Sequence, residues 1–189
     1  MSPLIWVLII LVVLIIAVYI SAYNGLQKSK VYTEESWSQI SVQLKRRNDL
    51  IPNLVETVKG YAAHEKDTFA KVVQLRNQLT SIPTDDHQKT MEVSNQLSDT
   101  LKSIFALQEN YPDLKANQQF NQLMEELTNT ENKIAYSRQL YNSSAAQYNQ
   151  KLLTFPSNIV ASIHHFTKVD YLQVPEAETA VPKVSFKEQ

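Results

Sequence analysis

The feature that most constrains this chain is an uncharged apolar segment near its N-terminus, PLIWVLIILVVLIIAVYISAY, at residues 3–23. As a helix it would be roughly 30 Å long, which matches the hydrocarbon core of a bilayer. A helix buried in a soluble core rarely stays apolar on every face over such a length. A cleavable signal peptide is the main alternative, but no Lys or Arg precedes the apolar run. The segment therefore predicts a transmembrane anchor over residues 1–24.

The residues around this segment indicate how it would sit in the bilayer. Trp6 lies near one end and Tyr19 and Tyr23 near the other, which suits the aromatic belts at the two headgroup layers. Nothing basic precedes the segment, whereas Lys28 and Lys30 follow it closely. By the positive-inside rule, we expect a single-pass protein of the cell membrane that contacts lipids through its span and has its C-terminal part in the cytoplasm.

Composition narrows the class of protein further. The chain of 189 residues has only 2 glycines and is 43% hydrophobic, which favours helices over a turn-rich sheet protein. It has no cysteine, so a disulfide framework and thiolate chemistry are excluded. The formal net charge of −1 argues against a surface that neutralises phosphates, and we expect no nucleic-acid partner.

Three apolar stripes of helical period follow the predicted span. The first predicts one long helix and comprises Trp37, Ile40, Leu44, Ile51, Leu54, Val58, Ala62, Phe69, Val72 and Leu79. The second is shorter and comprises Val93, Leu97, Leu101, Ile104 and Phe105. The third is nearly a strict heptad and comprises Phe120, Leu123, Leu127, Ile134, Tyr141, Ala145, Tyr148, Leu152 and Phe155. Each stripe needs a partner surface.

Proline-containing breaks separate these stripes. Residues 82–86 end the first and residues 111–113 end the second, while Pro156 opens a short fourth helix with Ser157 or Asn158 as its cap. Short connections make neighbouring helices antiparallel. The predicted fold is therefore all-α: a transmembrane helix, an antiparallel helical bundle over residues 25–165, and an extended C-terminal tail over 166–189. Disorder remains an alternative for the tail.

Charged residues interrupt two of the apolar stripes. Arg47 lies on the first stripe, and Glu131 and Arg138 lie one heptad apart on the third, so we expect a buried structural cluster of the three that fixes helix register. Side chains that reach solvent at the stripe edge are an equal alternative. Pro52 lies inside the first stripe and should kink the helix near Asn48.

Catalytic and metal sites find no support in the sequence. His64 and Glu65 begin like a zinc-protease helix, but Thr68 stands where the second histidine ligand is needed. His164 and His165 are adjacent and point to different helix faces. No Gly-x-Ser-x-Gly elbow or glycine-rich loop is present. We predict no catalytic residues, no cofactor and no metal.

Several blocks together resemble a known family. They are ESWSQI at residues 35–40, QLKRRNDLIPNLVETVKGYAAHE at 43–65, and YPDLKANQQFNQLMEELTNTENKIAYSRQLYNSSAAQYNQKLLTFPSNIVA at 111–161. From about Tyr23 to Phe186 the chain resembles the bacterial LemA family. The resemblance implies a single-span membrane protein with an antiparallel helical bundle, and it supplies no catalytic residues. Leu172 departs from the aromatic residue typical at that position.

Two functions are compatible with these features. The first is a non-catalytic, membrane-anchored helical scaffold that self-associates and organises or shapes the membrane, because a long heptad stripe also suits the helices of a second copy. The alternative is a regulatory adaptor that docks a membrane protease or an envelope-stress component through a groove or the tail.

Overall fold

The computed structural model describes residues 3–61 and 65–173, and the predicted all-α class is confirmed in them. These residues form six helices and no strand. The helices are α1 (Pro3–Lys59), α2 (Lys66–Ser81), α3 (His87–Asn110), α4 (Pro112–Ala116), α5 (Gln118–Leu153) and α6 (Ser157–Ile163). The segment from residue 164 to 173 has no regular secondary structure.

The chain divides into two compact units. The first, called the proximal unit, combines Met1–Arg47 with Glu126–Tyr171. The second, called the distal unit, combines Asn48–Glu125 with Leu172–Gln189. Helices α1 and α5 therefore contribute residues to both units.

In the proximal unit, α1 and α5 form an antiparallel pair. The rings of Trp37 and Tyr141 meet edge to face with their centroids 6.0 Å apart. Further along, Lys151 Nζ donates a hydrogen bond of 2.6 Å to Ser29 Oγ. The contact positions advance along α5 as they go back along α1, which is the antiparallel arrangement expected of neighbouring bundle helices.

Small hydroxyl residues allow these two helices to approach each other. Thr33 and Ser36 on α1 and Ser144 on α5 are buried. Each hydroxyl donates to a carbonyl of the preceding turn of its own helix, at 3.0, 2.8 and 2.8 Å respectively. Burial of these polar groups therefore leaves none of the three hydroxyls without a hydrogen bond.

After α5 the chain turns into α6 and then reverses direction. At the end of α6, His165 has a positive φ of 54° and Phe166 N donates to Ala161 O at 3.0 Å, the arrangement that closes many helix C-termini. The chain then runs back beside α5. There Asn149 donates from Nδ2 to Val169 O at 2.8 Å and accepts from Val169 N at 3.0 Å. The beginning of the predicted tail is therefore held against α5, while residues 174–189 lie outside the described part.

The distal unit is built around the hairpin of α2 and α3. Their facing side chains are buried, and the core residues are Phe69, Val72, Leu75, Leu79, Met91, Val93, Leu97, Leu101 and Ile104. Asp86 caps α3 because its Oδ1 accepts from Lys89 N at 3.1 Å. In the same way, Asn117 Oδ1 accepts from Phe120 N at 2.9 Å at the start of α5.

The prediction that one helix carries the whole first stripe was wrong. Helix α1 ends at Lys59 and α2 begins at Lys66. Gly60 follows the last residue of α1, and Tyr61 N bonds to Val58 O at 2.9 Å in a tightened final turn. Glycine disfavours the helix interior because it has the largest conformational freedom to lose. The apolar period continued across the break, which is why the pattern alone concealed it.

Two details at the end of α5 also differ from expectation. Helix α5 ends at Leu153, and Phe155, predicted as a stripe residue, is 79% exposed. The N-cap of α6 is Pro156 rather than Ser157 or Asn158, and it makes no side-chain cap bond. Ser157 Oγ donates instead to Lys151 O at 2.6 Å and to Thr154 O at 2.9 Å. The hydroxyl thus ties the turn to α5.

Candidate functional site

The N-terminal part of α1 is a candidate membrane span. Among the described residues, α1 is the one helix that is long and apolar enough to cross a bilayer. No residue in its most apolar stretch of 18 residues is buried. Trp6 and Tyr19 are exposed, and Tyr23 is half-buried. Lys28 and Lys30 are exposed about one to two turns further on. The predicted interface residues therefore all lie on one continuous helix.

Aromatic contacts join this helix to the end of α6. Tyr19 Oη lies 2.6 Å from His164 Nε2, within hydrogen-bonding distance. The Tyr23 ring lies 4.7 Å from the His164 ring and 6.1 Å from the Phe166 ring, measured between centroids. Sequence reasoning considered His164 only as a metal ligand and missed this role. The antiparallel register of α5 with α1 is the signal that would have placed it here.

A third lysine lies at the same level as Lys28 and Lys30. Lys151 Nζ donates to Gly25 O at 3.1 Å and to Ser29 Oγ at 2.6 Å. Its ammonium group thus secures the end of α5 to α1 immediately beyond the candidate span. Sequence reasoning missed this residue as well, because the contact joins positions more than a hundred residues apart.

Arg47 and Glu131 of the predicted charge cluster are in direct contact. Arg47 is completely buried, and its Nη1 lies 2.7 Å from Glu131 Oε1. The Glu131 side chain is 26% exposed, so water reaches one side of the pair. Arg138 lies two turns further along α5 and is also buried. A second pair, Arg46 with Glu126 at 3.7 Å, is about half exposed and was not predicted.

Pro52 lies inside α1, in the distal unit, and its effect on the backbone is compensated by a side chain of α2. A proline cannot donate to the carbonyl four residues earlier, which here belongs to Asn48. Arg76 Nε donates to that oxygen at 3.0 Å. The carbonyl that proline leaves without a helical partner therefore receives a charged donor. The predicted kink at Pro52 stays a prediction.

Three groups in the described chain titrate away from their ordinary values. Burial lowers the pKa of His87 below 6.5, against the opposing charges of Asp85 and Asp86. Burial raises the pKa of Tyr141 and Tyr148 above 10, and a neighbouring carboxylate adds to each shift. The two tyrosines therefore stay neutral, and His87 stays neutral to a lower pH than a free histidine.

The distal unit has an open polar groove between α2 and α3. Its volume is about 520 Å³, and its lining residues are Asp67, Thr68, Lys71, Gln96, Asp99, Thr100 and Ser103. The described residues contain no group of three or more His, Cys, Asp or Glu side chains that could hold a metal ion. His64, the start of the zinc-protease-like pattern, lies outside the described part. The hydroxyl and charged groups of the groove could bind a polar surface of another molecule.

Comparison with known proteins decides the family. The family model described as the LemA family matches residues 36–186 of this chain. This chain belongs to the LemA family. The match covers α2 to α6 and the larger part of α1 beyond the candidate span, and it confirms the resemblance predicted from the sequence blocks.

Individual relatives agree with this assignment. Protein LemA of Metamycoplasma hominis is 30% identical over 162 residues, which cover 85% of this chain and 73% of that protein. Magnetosome protein MamQ 2 of Paramagnetospirillum magneticum is 25% identical over 195 residues, covering 90% and 72% of the two chains. Magnetosome protein MamQ of Magnetospirillum gryphiswaldense is 23% identical over 184 residues, covering 84% and 68%. None of these names denotes an enzyme.

Proposed function

We propose that this LemA-family chain is a non-catalytic, membrane-anchored helical scaffold that self-associates and organises or shapes the membrane. The observation that carries the proposal is the continuity of α1. The helix runs from the candidate span at Pro3 to Lys59 without a break at Gly25. Such a helix transmits the position and tilt of the span directly to the helix pair of the proximal unit, as a scaffold requires.

The surface of the proximal unit supports self-association. Beyond the candidate span, this helix pair exposes the apolar side chains of Val31, Tyr32, Val42 and Tyr136. Single exposed apolar residues are common, but here they lie on helices whose outer faces a second copy of the chain can cover. The partly buried Arg47–Glu131 pair would keep the register of α1 and α5 the same in every copy.

The expected orientation places both units in the cytoplasm. The exposed Lys28 and Lys30 support it, and Lys151 adds a third positive charge close to the same end of the span. The relatives support a structural role, because the name magnetosome protein refers, for those proteins, to a structure rather than to a reaction.

The mass of the detergent-solubilised full-length chain, measured by light scattering, tests self-association. A complex of several copies is expected, and Val42→Lys should lower its mass because a charge on the contact face opposes burial. Ser41→Lys is the matched control, since Ser41 is exposed and polar on the same helix but points about 100° away from Val42. A monomer in detergent, or equal effects of the two substitutions, would contradict self-association through this face.

A second experiment tests the effect on the membrane itself. The full-length chain is reconstituted into vesicles of phosphatidylcholine and phosphatidylglycerol, and their shape is compared with protein-free vesicles by electron microscopy. A scaffold should change the distribution of vesicle size or curvature. Vesicles of unchanged shape at high protein density would count against membrane shaping.

The alternative function is a regulatory adaptor that docks a membrane protease or an envelope-stress component. The open polar groove between α2 and α3 is the observation in its favour. Under this alternative, the solubilised chain is a monomer that co-purifies with another protein. Substitution of Asp67 and Gln96, one on each wall of the groove, should then abolish co-purification.

A further inference from the structure

The segment after α5 forms an apolar tip that lies beside the candidate span. This tip comprises residues 152–167, which include α6 and contain no Asp, Glu, Lys or Arg. Its apolar side chains are partly turned outward, and the exposed ones are Leu153, Phe155, Ile159 and Ile163. A soluble protein would expose so many large apolar side chains within one uncharged segment only at the cost of unfavourable hydration.

The tip matches the candidate span layer by layer. Phe155, Pro156 and Ile159 line an apolar cavity of about 340 Å³ whose other wall includes Leu14, Ile15 and Val18. His164 lies beside Tyr19 and Tyr23, the aromatic residues expected at the headgroup layer. Lys151 lies at Gly25, beyond both layers. In the direction from Leu14 to Gly25 along α1, the groups beside the helix therefore change from apolar to aromatic to charged, as those of α1 itself do.

From this match we propose that the tip is itself inserted into the bilayer, so that the protein contacts the membrane twice. The occupant of its apolar surface and of the cavity would be phospholipid acyl chains. The inference rests on the proposed membrane location of the span. Because Leu14 and Val18 precede Tyr23 by nine and five residues, Phe155 would lie roughly 7 to 14 Å on the hydrocarbon side of Tyr23.

Several polar groups of the tip have partners within the protein, which favours insertion. Thr154 Oγ1 donates to Gln150 O at 3.1 Å, and Ser157 Oγ donates to Lys151 O at 2.6 Å. His164 is paired with Tyr19, and the chain reversal after α6 is closed by backbone hydrogen bonds. Backbone and hydroxyl groups in lipid need such internal partners because no water is available. Lys168, which follows the tip and is exposed, can reach the headgroups.

Continuity with the span favours lipid over a protein partner. Phe155 and Ile159 of the tip and the exposed span residues opposite them form the two sides of one apolar cavity. If the span is in hydrocarbon, the neighbouring wall of the cavity is there as well. A soluble partner would have to enter the bilayer to reach Phe155.

The chain lacks cysteine, so single cysteines can report the depth of each position in the full-length protein. A bimane fluorophore is placed at Phe155→Cys, at Ile159→Cys, at Val12→Cys in the span, and at Tyr136→Cys, an exposed site on α5. The protein is reconstituted in vesicles of phosphatidylcholine and phosphatidylglycerol, with spin-labelled acyl chains as the quencher within the membrane and iodide as the quencher in water. Since Phe155 is 79% exposed, its replacement removes little packing.

The expected result is strong quenching by acyl-chain spin labels at both tip positions and at Val12, at least about twofold above that at Tyr136, because only hydrocarbon-level sites meet the label. Quenching at Val12 with iodide access at the tip would overturn the inference and leave the span intact. Shielding of the tip from both quenchers would also overturn it, because protein would then cover the tip. Absence of quenching at Val12 would refute the span, and the inference with it.

Discussion

Removal of the Glu131 carboxylate should destabilise the proximal unit far more than removal of an exposed carboxylate on the same helix. Arg47 is completely buried and its Nη1 is 2.7 Å from Glu131 Oε1. Glu131→Ala would leave a buried guanidinium without this partner, a loss that costs about 3 to 5 kcal/mol for fully buried pairs. Because the Glu131 side chain is 26% exposed, water can solvate part of the remaining charge. We therefore expect Glu131→Ala to lower the free energy of unfolding by about 2 to 3 kcal/mol.

The matched control is Glu126→Ala. Glu126 pairs with Arg46 at 3.7 Å, and both side chains are about half exposed. Such a pair contributes under about 1 kcal/mol, since solvent screens the charges and the long side chains lose conformational freedom. The two variants thus remove the same kind of group from the same helix in different surroundings.

The assay is urea denaturation of the full-length chain in detergent, with helix content monitored by circular dichroism at about 222 nm. A double-mutant cycle with Arg47→Met isolates the pair, because methionine removes the charge and keeps an apolar side chain in the buried site. We expect coupling of about 2 kcal/mol for Arg47 with Glu131. Equal costs for Glu131→Ala and Glu126→Ala, or coupling near zero, would refute the reasoning.

A cysteine at Tyr136, which is exposed, should resist an impermeant thiol reagent in intact cells, and ready labelling from outside would contradict the cytoplasmic orientation. Arg76→Met should lower the free energy of unfolding by about 1 to 2 kcal/mol, because the Asn48 carbonyl loses a charged donor. The loss should be much smaller in a Pro52→Ala background, where residue 52 supplies an N–H. Equal losses in both backgrounds would show that the bond is unimportant. The pKa of His87 is lowered by burial, so the unfolded chain binds more protons just below pH 6.5 and stability falls as the pH decreases there. His87→Gln should flatten this fall in a denaturation series, and an unchanged slope would argue against it.

Local sequence pattern was sufficient to predict most of the helical segments. The uncharged run at residues 3–23, the apolar period of α3 and the heptads of α5 each depend on neighbours within a few turns, and each became a helix. Breaks with proline and aspartate were equally local, as the cap of α3 by Asp86 shows. The break after Lys59 was missed, because the apolar period continues beyond Gly60 and only the chain geometry interrupts it.

The same patterns placed Arg47 and Glu131 on apolar stripes, but they did not determine the distance between the two side chains. That distance depends on the register of α1 against α5, which is set by packing along the whole helix pair. The bond from Arg76 to the Asn48 carbonyl likewise joins helices that the sequence separates by 28 positions.

The end of the molecule that carries the candidate span shows most clearly what sequence determined and what tertiary structure decided. Composition alone identified a candidate span in α1, because hydrocarbon length and the cost of charge in lipid are properties of single segments. Residues 152–167 are too short and too polar in places to be recognised in that way. Only the antiparallel return of α5 brings Phe155 beside Leu14 and His164 beside Tyr19, since contacts between distant segments arise from chain reversal and register rather than from local composition.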